Sequence, residues 1–247
     1  MKLCAVQLAS RKGDLPGNLE RHRYCVEQAI ARGAQLVVFP ELSLTGYEPT
    51  LARQLAQSSD TSLLDPLQAL CDRHGIAVAV GLPLLTPSGI CIGMPILRPG
   101  VPPHLYAKQR LHDDELPFFV AGEQSLVFAL DNQRIAPAIC YESMFIEHAE
   151  HARQAGADIY IVSVAKTTQG IDEGVRHYPD VARRLGMPVL LANCVGPADT
   201  FVGAGHSAAW DPQGNVLASL DEQAQGLVLL DTTSMTAQAL PLNALAT

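Results

Sequence analysis

Apolar residues along this chain gather into short runs closed by turn residues, not into long continuous stretches. Ten runs have the length and boundaries of buried strands: 3–8, 35–39, 76–80, 125–130, 134–140, 158–164, 188–193, 207–210, 216–219 and 227–230. Helical spacing separates several of them. After Pro16 the residues Leu19, Val26, Ala29 and Ile30 share one stripe, Glu20, Arg21, Arg23 and Glu27 fall elsewhere, and Gly33 supplies a stop. Similar patterns run over 61–74 before Gly75, 144–154 before Gly156, and 172–185 before Gly186. Pro179 inside the last predicts a kink or a second helix start. Strands alternating with helices predict an α/β layered architecture. The turns Asp131-Asn132-Gln133 and Pro212-Gln213-Gly214-Asn215 add antiparallel hairpins, so the sheets are expected to be mixed. No linker, repeat or charge block divides the chain, which reads as a single domain over 1–247. The segment 232–247 is apolar without periodicity and is expected to pack on a partner subunit.

Composition narrows the classes. With 247 residues, 48% hydrophobic and 17% charged, the chain can bury a large core, and disorder or a fibrous repeat is excluded. Lys and Arg number 17 against 25 Asp and Glu, a net charge of −8 with no basic cluster, which argues against a nucleic-acid partner. The longest apolar stretch, 76–85, is about half of what a membrane span needs and contains Gly81 and Pro83. Residues 1–10 read as a strand and not a signal peptide, because Gln7 interrupts a short apolar run. No two of the six cysteines lie closer than 20 residues, so neither a CxxC knuckle nor a disulfide scaffold is written here. The expectation is a soluble cytoplasmic protein with free thiols, no membrane partner and no metal.

Three reactive groups then stand out by position, since ligands of α/β sheets bind at the carboxyl ends of strands. Glu41 follows the run 36–40 into an apolar loop, where desolvation would raise its pKa toward the range of a general base. Lys108 ends Leu105-Tyr106-Ala107-Lys108, and Cys140 ends 135–140 ahead of Tyr141-Glu142-Ser143. Singly, a strand-end Cys is most often core and a strand-end Lys most often solvated. A carboxylate between Phe39-Pro40 and Leu42 is harder to dismiss, because burying it is costly unless something pairs or uses it.

Together these residues resemble the nitrilase superfamily, the carbon-nitrogen hydrolases. The blocks Ala5-Val6-Gln7, Phe39-Pro40-Glu41, Tyr106-Ala107-Lys108, Ile139-Cys140-Tyr141-Glu142, Gly205-His206-Ser207 and Asp211-Pro212-Gln213-Gly214 come in the family's order and spacing across nearly the whole chain. The resemblance implies a four-layer α-β-β-α sandwich, a homodimer, and a Glu41, Lys108, Cys140 triad with Glu115 as a second glutamate. It further implies amidase-type hydrolysis of a small amide or N-carbamoyl compound through a thioester, with no metal or organic cofactor. Nitrile hydrolysis is the less favoured chemistry. Acyl transfer to an amine, or a catalytically retired binding scaffold, are the alternatives. After the cysteine many members read Cys-Tyr-Asp, then Arg-Phe-Pro-Glu one residue later, whereas here Glu142, Met144 and Ile146 depart. That departure touches the substrate subfamily and leaves the triad intact. Tyr47, Phe118, Tyr141, Glu142 and Lys166 are the pocket candidates, and with both Glu142 and Lys166 among them the sign of any substrate charge stays open.

Two further patterns are read as decoys. Gly205-His206-Ser207-Ala208-Ala209 resembles a serine-hydrolase elbow, but no histidine follows His206 and a strand comes next in place of a helix. Glu147-His148-Ala149-Glu150-His151 spaces its histidines three apart and not four, and reads as a solvated helix face.

Overall fold

A computed structural model describes residues 1–242. Its strands are β1 Lys2–Gln7, β2 Leu36–Val38, β3 Ala77–Ala79, β4 Leu82–Thr86, β5 Gly89–Arg98, β6 Val101–Ala107, β7 Phe128–Leu130, β8 Gln133–Ile139, β9 Ile159–Val164, β10 Val189–Asn193, β11 Val195–Ala198, β12 Phe201–Ala204, β13 Ala208–Trp210, β14 Val216–Ser219, β15 Gly226–Asp231 and β16 Thr236–Pro241. Its α-helices are α1 Leu15–Ile30, α2 Ala52–Leu55, α3 Asp65–His74, α4 Ile146–Gln154 and α5 Thr168–Leu185. One sheet runs β16-β15-β1-β2-β3-β5-β4, with β6 also paired to β5, and a second runs β14-β13-β10-β9-β8-β7. Each has a parallel centre, β1-β2-β3 in one and β8-β9-β10 in the other, flanked by antiparallel strands. The sheets are mixed, as the sequence predicts.

Period-two alternation in the central strands explains the layering. In β1, Leu3 and Ala5 face the second sheet, in one core with Leu36, Val38, Ile135, Ile159, Ile161 and Leu190. Cys4 and Val6 face the other way, into a core with Val26 and Ala29 of α1 and Leu67 and Leu70 of α3. The second sheet repeats the scheme: Tyr160, Val162, Val189 and Leu191 meet Ala149 and Ala152 of α4 and Val181 and Ala182 of α5. Three cores between four layers give the α-β-β-α sandwich.

Several boundaries differ from the sequence reading. α5 is continuous from 168 to 185 with Pro179 inside it, and no second start occurs. Residues 82–107 form three antiparallel strands that hydrophobic runs alone do not reveal, and 195–204 form the β11-β12 hairpin. The segment expected to pack on a partner is, over 236–241, strand β16 paired with β15, while 243–247 lie outside the described residues. No described helix is long and apolar enough to cross a membrane.

Candidate active site

The carboxyl ends of the parallel strands converge. β2 leads into Glu41, β8 into Cys140, and β9 into Ala165 and Lys166, while Lys108 follows β6 at the flank of the first sheet. The turn carrying Glu41 is held tightly. Ser163 Oγ donates to Phe39 O at 2.8 Å, tying the two sheets together immediately before Pro40. Leu44 N donates to Gly81 O at 2.9 Å, and a Cβ at Gly81 would overlap Pro40 O and Leu42 N, so glycine is required there. Behind the turn, buried His22 stacks on Phe39 at 4.0 Å and bonds Ser43 Oγ through Nε2 at 2.9 Å.

Lys108 is fully buried between two carboxylates. Its Nζ donates to Glu41 Oε1 at 2.8 Å and to Glu115 Oε1 at 2.6 Å, and these acids hold its pKa above the usual lysine value against burial. Glu115 also accepts from Tyr47 OH at 2.9 Å and from His112 N at 2.8 Å. The second oxygen of Glu41, Oε2, is buried without a hydrogen-bond partner. Burial pushes Glu41 up to about 7, with Lys108 the chief influence holding it down and the Cys140 side chain a smaller one.

Cys140 opens a 3-10 helix, Cys140–Met144, with φ at +47°, a left-handed conformation uncommon for a non-glycine residue and a usual mark of a functional position. It is the one cysteine only partly buried; the other five pack fully in the interior. Burial of the thiol and the nearby Glu41 charge push its pKa up to about 12, opposed by Lys166 and then Lys108. The resting pair is therefore thiol beside carboxylate, not a thiolate–imidazolium-like ion pair. The N–H of Tyr141 falls in the first turn of the 3-10 helix, where no helical carbonyl is available to it.

A cavity of about 380 Å³ opens over Cys140, and Tyr47, Lys108, Glu115, Tyr141 and Lys166 line it. Of the residues picked from sequence, two lie apart. Phe118 is 38% exposed and outside the lining. Glu142 is buried and points behind the nucleophile: Oε1 accepts from Ile139 N at 2.7 Å and Tyr106 OH at 2.7 Å, and Oε2 from Gln109 N at 2.6 Å. One carboxylate thus staples the residue before Cys140 to the residue after Lys108. Sequence reasoning missed Phe201, which reaches the cavity from the β11-β12 hairpin and meets Tyr47 edge-on at 5.5 Å; the turn-favouring residues Pro197 and Asp199 just before it were its available signal. His112 and Asp114, at the mouth, carried no signal of their own.

The decoys resolve. Ser207 is buried, its Oγ accepting from Asn193 N at 2.9 Å and its N–H donating to Gln7 Oε1 at 2.8 Å, a structural role. In the 147–151 pattern His151 is exposed as expected, but His148 turns inward, Nδ1 on Tyr160 OH at 2.8 Å and Nε2 on Tyr106 OH at 3.0 Å. Among the described residues no cluster of three His, Cys, Asp or Glu has metal-binding geometry.

Comparison with known proteins agrees with this architecture. The family model for carbon-nitrogen hydrolase matches residues 2–241. An (R)-stereoselective amidase from Pseudomonas sp is 32% identical over 238 residues, 88% of this chain and 80% of that protein. A 2-oxoglutaramate amidase from Bacillus subtilis is 27% identical over 81% of this chain and 79% of its own. Among solved structures, a variant of the amidase from Nesterenkonia sp. AN1, showing Michael addition of acrylamide at the active site cysteine, matches with a TM-score of 0.85 and 26% identity over 94% of this chain and 92% of that one. The chain belongs to the carbon-nitrogen hydrolase family, within the amidases of the nitrilase superfamily, and is an enzyme acting on C–N bonds other than peptide bonds.

Proposed function

We propose that the protein is a cysteine-dependent amidase that hydrolyses a small amide or N-carbamoyl compound through a thioester on Cys140, releasing a carboxylic acid and ammonia or an amine. The observation that carries this reading is the buried Glu41 carboxylate, one oxygen fixed on Lys108 and the other unpartnered beside the Cys140 thiol. With the thiol at about 12 and Glu41 at about 7, a preformed thiolate is scarce, so proton transfer to Glu41 accompanies attack of Sγ on the carbonyl carbon. The carbonyl oxygen becomes an oxyanion, which Lys108 Nζ and Tyr141 N–H stabilise. Collapse breaks the C–N bond, and the proton on Glu41 passes to the leaving nitrogen. Glu41, again a carboxylate, takes a proton from water as it attacks the thioester. The second tetrahedral adduct expels the Cys140 sulfur, which regains its proton. Glu115 keeps Lys108 in place, with Tyr47 fixing Glu115 in turn. No step requires a metal or an organic cofactor.

The test is ammonia release from a panel of small primary amides by wild-type protein and Cys140→Ala. The variant loses only Sγ, so turnover is expected to vanish while the circular dichroism spectrum is unchanged. Hydrolysis by the variant near the wild-type rate would overturn the assignment. Product analysis with an added amine separates hydrolysis, which yields only the free acid, from acyl transfer.

A further inference from the structure

The cavity contains one cation without a counter-ion. Glu41 and Glu115 are both committed to Lys108, and Glu142 is committed to backbone N–H groups outside the cavity. Asp114 and Glu173 lie at the exposed mouth, where water screens them, and Asp114 is bonded to His112 at 2.8 Å. Lys166 is different. It is 9% exposed, and its ammonium makes no hydrogen bond or ion pair among the described residues.

Its position is built, not incidental. Lys166 N donates to Asn193 Oδ1 at 2.9 Å, and its carbonyl accepts from Ala204 N at 3.0 Å, so the backbone is clamped from both sides. The lysine stem runs against Gly170, where a Cβ would lie in van der Waals contact with it, 3.4 Å from Lys166 Cβ and Cγ. The charge acts on the Cys140 thiol more strongly than that of Lys108, which places it within electrostatic reach of the nucleophile. The N-terminus of α5, eighteen residues long and capped by Thr167, opens beside it and adds positive potential. An unpaired ammonium on a side chain this buried, facing the cavity, is a ready partner for an anion.

We infer that Lys166 and the α5 N-terminus form an anion subsite, and that the substrate is a small amide carrying a carboxylate, held by Lys166 while its amide carbon faces Cys140. This rests on the amidase reading above. It decides the charge sign that the sequence left open, because Glu142, the competing acid, is turned away.

The experiment compares kcat/KM for the monoamides of succinic and glutaric acid with that for uncharged amides of equal length, in wild type and Lys166→Met. N-(carboxyalkyl) amides form a further arm, placing the carboxylate on the amine side. Wild type is expected to favour one carboxylate series at least tenfold, and K166M is expected to erase that preference by raising KM for the charged amide more than for the neutral one. Equal use of charged and neutral amides by wild type would overturn the inference, as would an equal loss on both in K166M, which would mean that Lys166 serves only the thiol. Calorimetry on the Cys140→Ala background reads the subsite without turnover. Glutaramate binding weakened at least tenfold by adding K166M supports it, and unaltered binding overturns it. Absence of hydrolysis of any amide, with glutaramate binding intact, would instead fault the amidase reading alone.

Discussion

On the proposed mechanism, the local physics at Glu41 sets the pH behaviour of the whole reaction. Its carboxyl is raised from 4.5 to about 7, so the base form dominates only above about pH 7 and is lost as pH falls. kcat/KM is therefore expected to drop about tenfold per unit below pH 7 in wild type. Glu41→Gln keeps an oxygen for Lys108 but has no base; turnover is expected to fall by about 10²–10⁴ and the acid limb to flatten, read from a pH series. A wild-type profile level down to pH 5 would refute the role. Glu41 and Cys140 stood out in the sequence because strand ends are where a parallel sheet delivers side chains, whereas Lys108, after antiparallel β6, stood out through the Tyr106-Ala107-Lys108 block of the family resemblance. Glu142 was not legible as a staple: the chain enters a 3-10 turn at the nucleophile itself, and only the turn's direction decides whether a carboxylate two residues on faces the cavity or the backbone behind it.

Elements join the site through that staple. Glu142 bridges the end of β8 to the loop after β6, so it fixes the nucleophile relative to the lysine. Glu142→Gln would set an NH₂ against a backbone N–H that now meets a carboxylate oxygen. The expected cost is about 1–3 kcal/mol of stability in urea denaturation, with turnover lowered and KM little altered. Turnover at the wild-type level would show that the staple only supports the fold. Strands whose runs are apolar and compact were readable from sequence, whereas β5 and β6 were not. β5 carries Gly93 and Pro95, and β6 carries Pro102 and Pro103 on a largely exposed strand, where a missing N–H is tolerated. Such strands form because neighbours pair with them, not because their own pattern demands it. Pro179 is the converse case: propensity favours a break, but α5 is packed through Tyr178, Val181 and Ala182 and stays whole.

Over the whole molecule the proposed base and nucleophile come from different sheets, Glu41 after β2 and Cys140 after β8, held in register by the core that contains Val38, Ile139 and Ile161. Ile161→Ala, at a fully buried position, is expected to cost about 2–5 kcal/mol. In that variant turnover and far-ultraviolet dichroism are expected to disappear at the same, lowered urea concentration. Activity outlasting the loss of structure would refute the dependence on sheet docking. The mixed α/β layering was legible in the runs, and the four-layer order through the family resemblance, with alternation in β1, β9 and β10 as its physical cause; the depth of the cavity was not, since Phe201 arrives on a hairpin with no strong pattern of its own.

The split of Glu41 and Cys140 between two sheets also bears on how the chain is born. A chain in which only the second sheet has formed holds the Cys140 thiol and the Tyr141 N–H, but lacks Glu41 and Lys108, which follow strands of the first. On the proposed mechanism the thiol gains its proton acceptor only when the two sheets dock, so an unfinished chain would be guarded against wayward acylation.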